Sequence, residues 1–345
     1  MLELYPWQQE IWQKLLQNQQ YWRHTLLLTG KKGIGKYTFS RQLAKSLLCY
    51  SATAEHAACG TCLSCGWFEQ NAHPNLHCVI PEALSTDGIA IADQESKESS
   101  SLSKVKKNLS QQISIDQIRH LNDFVYLTGH QKGYKVVLIY PAETMTHAAA
   151  NALLKKLEEP PVDVLFILVA HQMQRLLPTI RSRCQQIVMP MPSAETSIVW
   201  LRQHGISDPE LILPLNDFSP LSTWSFVQEQ LTIPHQHFVD SIKQGQNFDP
   251  FALALSLQQI HLSTVVSWLQ KWCYDLVSCR VTGRIRYYLK LLPVIQVLSK
   301  QIDLIAYMAF LRELNTHQKL SHHPLNARLF LEEMFIRYSF MLCGK

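Results

Sequence analysis

The chain has 345 residues, 47% of them hydrophobic and only 17% charged, so it has the material for substantial cores and is not mostly disordered. At about 100–200 residues per domain, this length predicts two or three domains. The net charge of +5 permits contact with nucleic acid without demanding it, because dedicated binders concentrate more charge. No apolar run reaches about 18 residues, which excludes a membrane-spanning helix. The start, MLELYPWQQEIWQKLL, is amphipathic and has no basic segment before an apolar core, so it is not a secretory signal. A cytoplasmic location is therefore expected, with the nine cysteines as thiols or metal ligands rather than disulfides.

Residues 1–20 read as a helix, with Leu4, Trp7, Ile11 and Leu15 at helical spacing. His24–Thr29 (HTLLLT) is a short buried strand that runs into a glycine-rich loop and then a helix to about Cys49. A cysteine cluster follows. Residues 82–112 are rich in Ser, Lys and Gln and read as a flexible surface insertion. Order resumes at Ile113, where Ser114 is a plausible N-cap for the next helix. Lys135–Ile139 (KVVLI) and Val164–Ala170 (VLFILVA) are buried strands, and Gln186–Met189 is a shorter one. Between the first two lies a helix, Thr146–Glu159, ended by Pro160-Pro161. Strands alternating with helices imply a parallel sheet covered on both faces. After Pro192 the strand signal fades and the chain reads as helical, with no internal repeat.

The glycine-rich loop is a nearly complete P-loop. Gly30, Gly35 and Lys36 match the pattern G-x4-G-K-[ST], but Tyr37 stands where the hydroxyl residue belongs. In such a loop the backbone N–H groups surround phosphates, the lysine neutralises charge, and the Ser/Thr hydroxyl is a Mg²⁺ ligand. A phenol cannot take that position, and Thr38 points about 100° further round the helix. The second metal motif is also missing. A working site needs acids at the end of a second buried strand, and Lys135–Ile139 ends in Tyr140-Pro141-Ala142-Glu143. Glu143 is displaced by about three residues, which suits a surface or capping glutamate better than a catalytic one. Poor or no ATP hydrolysis is expected, with weak phosphate binding at Lys36 left open.

Two further motifs carry a resemblance. Asn151-Ala152-Leu153-Leu154-Lys155-Lys156-Leu157-Glu158-Glu159-Pro160-Pro161, followed by Ser182-Arg183-Cys184, resembles bacterial clamp-loader subunits of the AAA+ superfamily, as found in DNA polymerase III. The likeness is strong over about residues 1–192 and weakens beyond to length and helical character. It implies that Arg183 acts in trans, reaching the ATP site of a neighbouring subunit. A guanidinium suits this role because it is always charged and forks onto phosphate oxygens. The alternative is that Arg183 caps a strand or pairs with a carboxylate; Arg181 is the better candidate for a structural arginine. The resemblance also implies sensor positions. His171 stands near one of them, and Phe218-Ser219-Pro220-Leu221 stands where relatives carry an ATP-contacting arginine.

Cys59-x2-Cys62-x2-Cys65 lies ten residues after Cys49, and four thiolates can close a tetrahedral zinc site. The resembled family carries four cysteines at the same place, after the P-loop helix. Cys49, Cys59, Cys62 and Cys65 are therefore assigned to structural zinc, with His56, His73, His77 and Cys78 as competitors for the position of Cys49. A redox CxxC is a weaker alternative, because three cysteines interlock. Cys78, Cys184, Cys273, Cys279 and Cys343 are expected to be buried thiols.

The expected fold is an α/β AAA+ domain of the P-loop type over 1–190, with a parallel sheet, an inserted zinc module and the insertion at 82–112. Two all-α domains follow: a small lid-type domain at 191–236 and a collar domain at 237–345. In the collar, Trp268, Trp272, Tyr287 and Tyr288 read as core, and Arg280–Arg286 as a solvated basic face or a contact for an acidic partner. The resemblance implies as partners ATPase subunits of the gamma/tau type and a delta subunit, and through them a sliding clamp and primed DNA. Two other readings stand beside a hydrolysis-inactive scaffold: an ATP-hydrolysing motor rescued by Thr38 or Glu143, and a zinc-stabilised nucleic-acid-binding protein. Trp67 and Phe68 flank the cysteines with almost no Lys or Arg nearby, which speaks against the last.

Overall fold

The computed structural model describes residues 4–18, 21–53, 57–85, 109–126, 134–321 and 323–343. Most of the expected 82–112 insertion, residues 86–108, lies outside these, as does His56. The chain divides into two compact units, Met1–Pro192 and Ser193–Lys345. No helix among the described residues is long and apolar enough to cross a membrane.

The first unit is built on a five-stranded sheet of β1 (Thr25–Thr29), β2 (Leu76–Val79), β3 (Lys135–Ile139), β4 (Val164–Ala170) and β5 (Gln185–Val188). Its order is β2-β3-β4-β1-β5 and every pairing is parallel. All of β1 and β4 is buried, so their side chains alternate between two cores instead of between core and solvent. Leu27, Val137, Ile139, Phe166 and Leu168 face one core. Leu26, Leu28, Val136, Leu138, Ile167 and Val169 face the other. Each fully buried aliphatic side chain is worth roughly 1.5–3 kcal/mol against exposure, which explains why the uninterrupted apolar runs specify these strands.

Helices α1 (Gln9–Gln17), α2 (Lys36–Leu48) and α3 (Leu63–Glu69) cover one face through Trp12, Leu15, Phe39, Leu43 and Phe68. A short turn of helix, α4 (Glu82–Ser85), follows β2. The other face is covered by α5 (Ile115–Tyr126), α6 (His147–Glu158) and α7 (Pro178–Arg183), through Ile118, Leu121, Leu153, Leu157 and Ile180. Ser114 caps α5 as the sequence predicts. Its Oγ accepts the N–H of Gln117 at 3.3 Å, and Gln117 Oε1 accepts the N–H of Ser114 at 2.9 Å. Thr146 caps α6 in the same way, its Oγ1 accepting from Ala149 N at 3.2 Å.

Three expectations need correction. The N-terminal segment is not one helix, because Pro6 opens a 3-10 turn, Pro6–Gln8, ahead of α1. That moves the buried stripe to Trp12, Leu15 and Leu16 and turns Trp7 toward the P-loop. Strand β2 has no counterpart in the sequence reading, since four residues at a sheet edge, three half-buried and only Val79 buried, give no periodic signal. For the same reason Cys78, on this edge strand, is only half-buried, whereas Cys184, Cys273 and Cys279 are buried. The side chain of Cys343 lies outside the described residues.

The second unit is helical: α8 (Ala194–Gln203), α9 (Pro209–Leu215), α10 (Pro220–Gln228), α11 (Thr232–Ile242), α12 (Pro250–Leu257), α13 (Leu262–Thr282), α14 (Leu292–Ser299), α15 (Leu304–Leu320) and α16 (Ala327–Cys343). Helix α11 runs through position 236, where the sequence places a domain boundary. Trp268, Trp272 and Tyr288 are core, tied by Trp272 Nε1 to Tyr338 Oη at 2.7 Å and by Tyr288 Oη to the Trp268 carbonyl at 3.0 Å. Tyr287 is only half-buried and lies under the cations of Lys271 and Arg286. Asp275 is wholly buried and accepts the backbone N–H groups of Arg286, Tyr287 and Tyr288 at 2.8–2.9 Å. It thereby fixes the turn that carries the basic stretch 280–286.

Candidate functional site

Register brings the P-loop and its would-be partners together. Thr29 at the end of β1 pairs with Ala170, and Ile139 at the end of β3 pairs with Leu168, so the residues that follow three adjacent strands emerge side by side. They are the glycine loop, Tyr140 and His171. Gly35 adopts φ +83°, and a Cβ there would lie 2.5 Å from the Tyr5 ring. Only glycine fits this approach. The N-terminal 3-10 turn closes over the loop: Trp7 Nε1 donates to the Ile34 carbonyl at 3.0 Å, and Gln8 Nε2 to the Ile34 and Gly35 carbonyls at 2.9 and 3.0 Å. Nothing in the sequence pattern assigns Tyr5, Trp7 and Gln8 to the loop, since these contacts span 26 or more positions.

Lys36 is 2% exposed, and its ammonium donates to the carbonyls of Gly30 at 2.6 Å and Lys31 at 2.5 Å. The loop's own backbone thus takes the charge that a phosphate would otherwise meet. Burial pulls the Lys36 ammonium down to about 8, opposed by the Glu143 carboxylate. The two tyrosines noted in the sequence meet here, with the rings of Tyr37 and Tyr140 4.6 Å apart. Burial raises both phenols above their ordinary range. The edge of His171 meets Tyr140 at 5.5 Å. Its two ring nitrogens are buried without a protein partner. Burial first, then the charges of Lys36 and Lys32, pushes this imidazole down to about 3. Glu143 Oε1 accepts the backbone N–H groups of His171 at 2.9 Å and Gln172 at 3.2 Å, so this carboxylate braces the exit of β4.

The four cysteines converge. Their sulfurs all lie within 4.8 Å of one another. The Cys49 sulfur is 3.5, 3.8 and 3.6 Å from those of Cys59, Cys62 and Cys65, and Cys59 is 4.0 Å from Cys65. Metal–sulfur bonds near 2.3 Å in a tetrahedron require sulfur–sulfur edges of about 3.8 Å, so the cluster can hold a metal ion. Backbone N–H groups already point at the sulfurs, Cys59 N to Cys49 Sγ at 3.3 Å and Cys62 N to Cys59 Sγ at 3.4 Å. The first cause holding the Cys59 thiol down, at about 6, is such backbone bonding.

Two of the competing ligands are engaged elsewhere. His73 is buried; its Nδ1 accepts from Asn75 N at 3.0 Å, leaving Nε2 to donate to Ser64 Oγ at 2.9 Å. Ser64 in turn donates to the Leu48 carbonyl at 2.5 Å, which ties α3 to the end of α2. His77 packs against Phe124, with rings 5.3 Å apart.

Arg183 ends α7, in the Ser-Arg-Cys triplet. Its Nη2 pairs with Glu158 Oε1 at 2.6 Å, and its Nη1 donates to the Thr179 carbonyl at 3.0 Å. Arg181 is half-buried, with its Nε unpartnered, and lines an open polar cleft with Tyr21, Arg23 and Ser182. In the second unit, Asp217 and Phe218 both have positive φ, and Ser219 precedes Pro220 at the start of α10.

A parallel sheet with a glycine loop and lysine at the end of its β1, a four-cysteine knuckle behind the loop helix, and a helix-terminal arginine define a P-loop-type α/β module. A family model described as "DNA polymerase III, delta subunit" matches residues 7–193. DNA polymerase III subunit delta' of Pseudomonas aeruginosa is 33% identical over 288 residues, covering 82% of this chain and 80% of the relative. The Yersinia pestis subunit delta' is 27% identical and covers 97% and 95%. Among solved structures, a DNA polymerase III gamma subunit-related protein of Thermotoga maritima aligns at 18% identity with a TM-score of 0.44, covering 92% and 94%. The chain belongs to the delta' family of DNA polymerase III subunits.

Proposed function

We propose that this chain is a clamp-loader subunit that does not hydrolyse ATP itself and acts on a neighbour's ATP site through Arg183. The observation that carries this reading is the Tyr37–Tyr140 pair. Both positions that should supply a Mg²⁺ environment hold half-buried tyrosines in ring contact. The P-loop lysine is bonded to its own loop, and the alternative acid, Glu143, is bonded to backbone N–H groups through one oxygen. A rigid, hydrolysis-inactive subunit then serves as the fixed wall of a ring containing gamma/tau-type ATPase subunits and a delta subunit. The ring opens a sliding clamp and places it on primed DNA. The lid-type role of α8–α10 and the collar role of the later helices belong to the same proposal.

Zinc is the metal proposed for Cys49, Cys59, Cys62 and Cys65. Four thiolates leave no open coordination position, so the ion would contribute folding energy and no chemistry. The test of the function is Arg183→Ala in a reconstituted loader. ATP turnover at the adjoining site should fall steeply while the subunits still assemble. Normal turnover and normal clamp loading in that variant would refute the role of Arg183.

A further inference from the structure

Arg183 and Glu158 sit at the last residues of two helices that share one core. Leu153 and Leu157 of α6 pack in the same cluster as Ile180 of α7, so the two helix ends are fixed relative to each other. Glu158 is in an unfavourable place for α6 itself. A carboxylate at a helix C-terminus adds negative charge to the negative end of the macrodipole. Its gain comes from Arg183, at 2.6 Å. Both terminal nitrogens of the guanidinium are engaged within the chain, one by Glu158 and the other by the Thr179 carbonyl and, at 3.4 Å, by Ser182 Oγ. The fork that could grip a phosphate is therefore turned back. The pair is nonetheless partly exposed, 34% for the arginine side chain and 48% for the glutamate. Exposed pairs are weak enough to exchange.

We infer that Glu158 is a positioning residue for Arg183: it holds the guanidinium on its own subunit until a phosphate group on a neighbour competes for it. This rests on the trans role proposed for Arg183. Glu158 opposes capture of the ground-state phosphate and of the transition state equally. Removing its charge should therefore lower KM and leave kcat alone.

The experiment is steady-state ATP turnover by the reconstituted loader carrying wild-type chain, Glu158→Gln or Arg183→Ala, with assembly checked by size exclusion. Glu158→Gln should lower KM for ATP about two- to fivefold, the size of an exposed ion pair, at unchanged kcat. An unchanged KM, or a fall in kcat, would overturn the inference while leaving the Arg183 reading intact if Arg183→Ala is impaired. If Arg183→Ala turns over ATP normally, the trans role itself fails and Glu158 has nothing to regulate. Should Glu158→Gln not assemble, Glu158→Asp loosens the pair by shortening the side chain and should shift KM the same way by less.

Discussion

The two chemically rich corners of the first unit are built in opposite ways. At the P-loop, the motif lysine and its aromatic neighbours are turned inward, although Lys31 and Lys32 are exposed. Lys36 bonds its own loop, Tyr37 packs on Tyr140, Gln8 and Trp7 hold the loop carbonyls, and the ring nitrogens of half-buried His171 are covered and neutral. At the end of α7, Arg183 is partly exposed and held by one exchangeable carboxylate. The P-loop skeleton is present, while the partly exposed cation lies at the other corner. The two corners depend on different strands and helices, so the proposed loss of a metal site is compatible with the proposed action on a partner.

Predictions that break or sharpen this contrast can be ordered by size. The largest is the paired comparison of Arg183→Ala with Lys36→Ala. The first should cost about 10³-fold or more in turnover at the adjoining site, the range known for supplied arginines, and the second should cost almost nothing there. Equal losses would dissolve the contrast.

Next comes acid stability. His171 is held at about 3 in the fold against 6.5 when unfolded. The unfolded chain therefore binds more protons between these values. From this group, stability is constant above about pH 6.5 and falls as pH drops through the window, by up to about 5 kcal/mol. Denaturant melts of His171→Leu should show a shallower acid loss, since no protein partner is orphaned by the change.

Third, Cys62→Ser or strong chelation should remove about one zinc equivalent per chain and destabilise the first unit by roughly 3 kcal/mol or more. Metal analysis and thermal melts would read this, and an unchanged melt would argue against a structural metal. The smallest effect is expected from Tyr37→Thr. It restores a hydroxyl but leaves Tyr140 in the acid position, so the chain alone should still not turn over ATP. Recovery of turnover by this single change would mean that only one metal contact separates this corner from a working site.

Much of the first unit is legible because its signals are local. The run Val164–Ala170, short, wholly apolar and rich in β-branched residues, reads as a strand buried on both faces, and Cys49, Cys59, Cys62 and Cys65 lie close in sequence, so spacing suggests their convergence. Side-chain bonds to distant backbone leave no such trace. The cover of the glycine loop by Tyr5, Trp7 and Gln8, the exclusion of His73 as a ligand by Ser64 and Asn75, and the Glu158–Arg183 pair all depend on tertiary placement. Sequence weighs Arg183 between a trans-acting arginine and one that pairs with a carboxylate. In the structure it pairs with Glu158, and an exchangeable pair is compatible with both.

The central claim is that this chain acts on another subunit's ATP and not on its own. The most direct measurement is Mg²⁺-dependent ATP turnover by the purified chain, alone and then mixed with the ATPase subunits of its loader. The account predicts no turnover alone and stimulation of the mixture that depends on Arg183. Robust turnover by the chain alone, abolished by Lys36→Ala, would contradict it and make the P-loop corner a working motor.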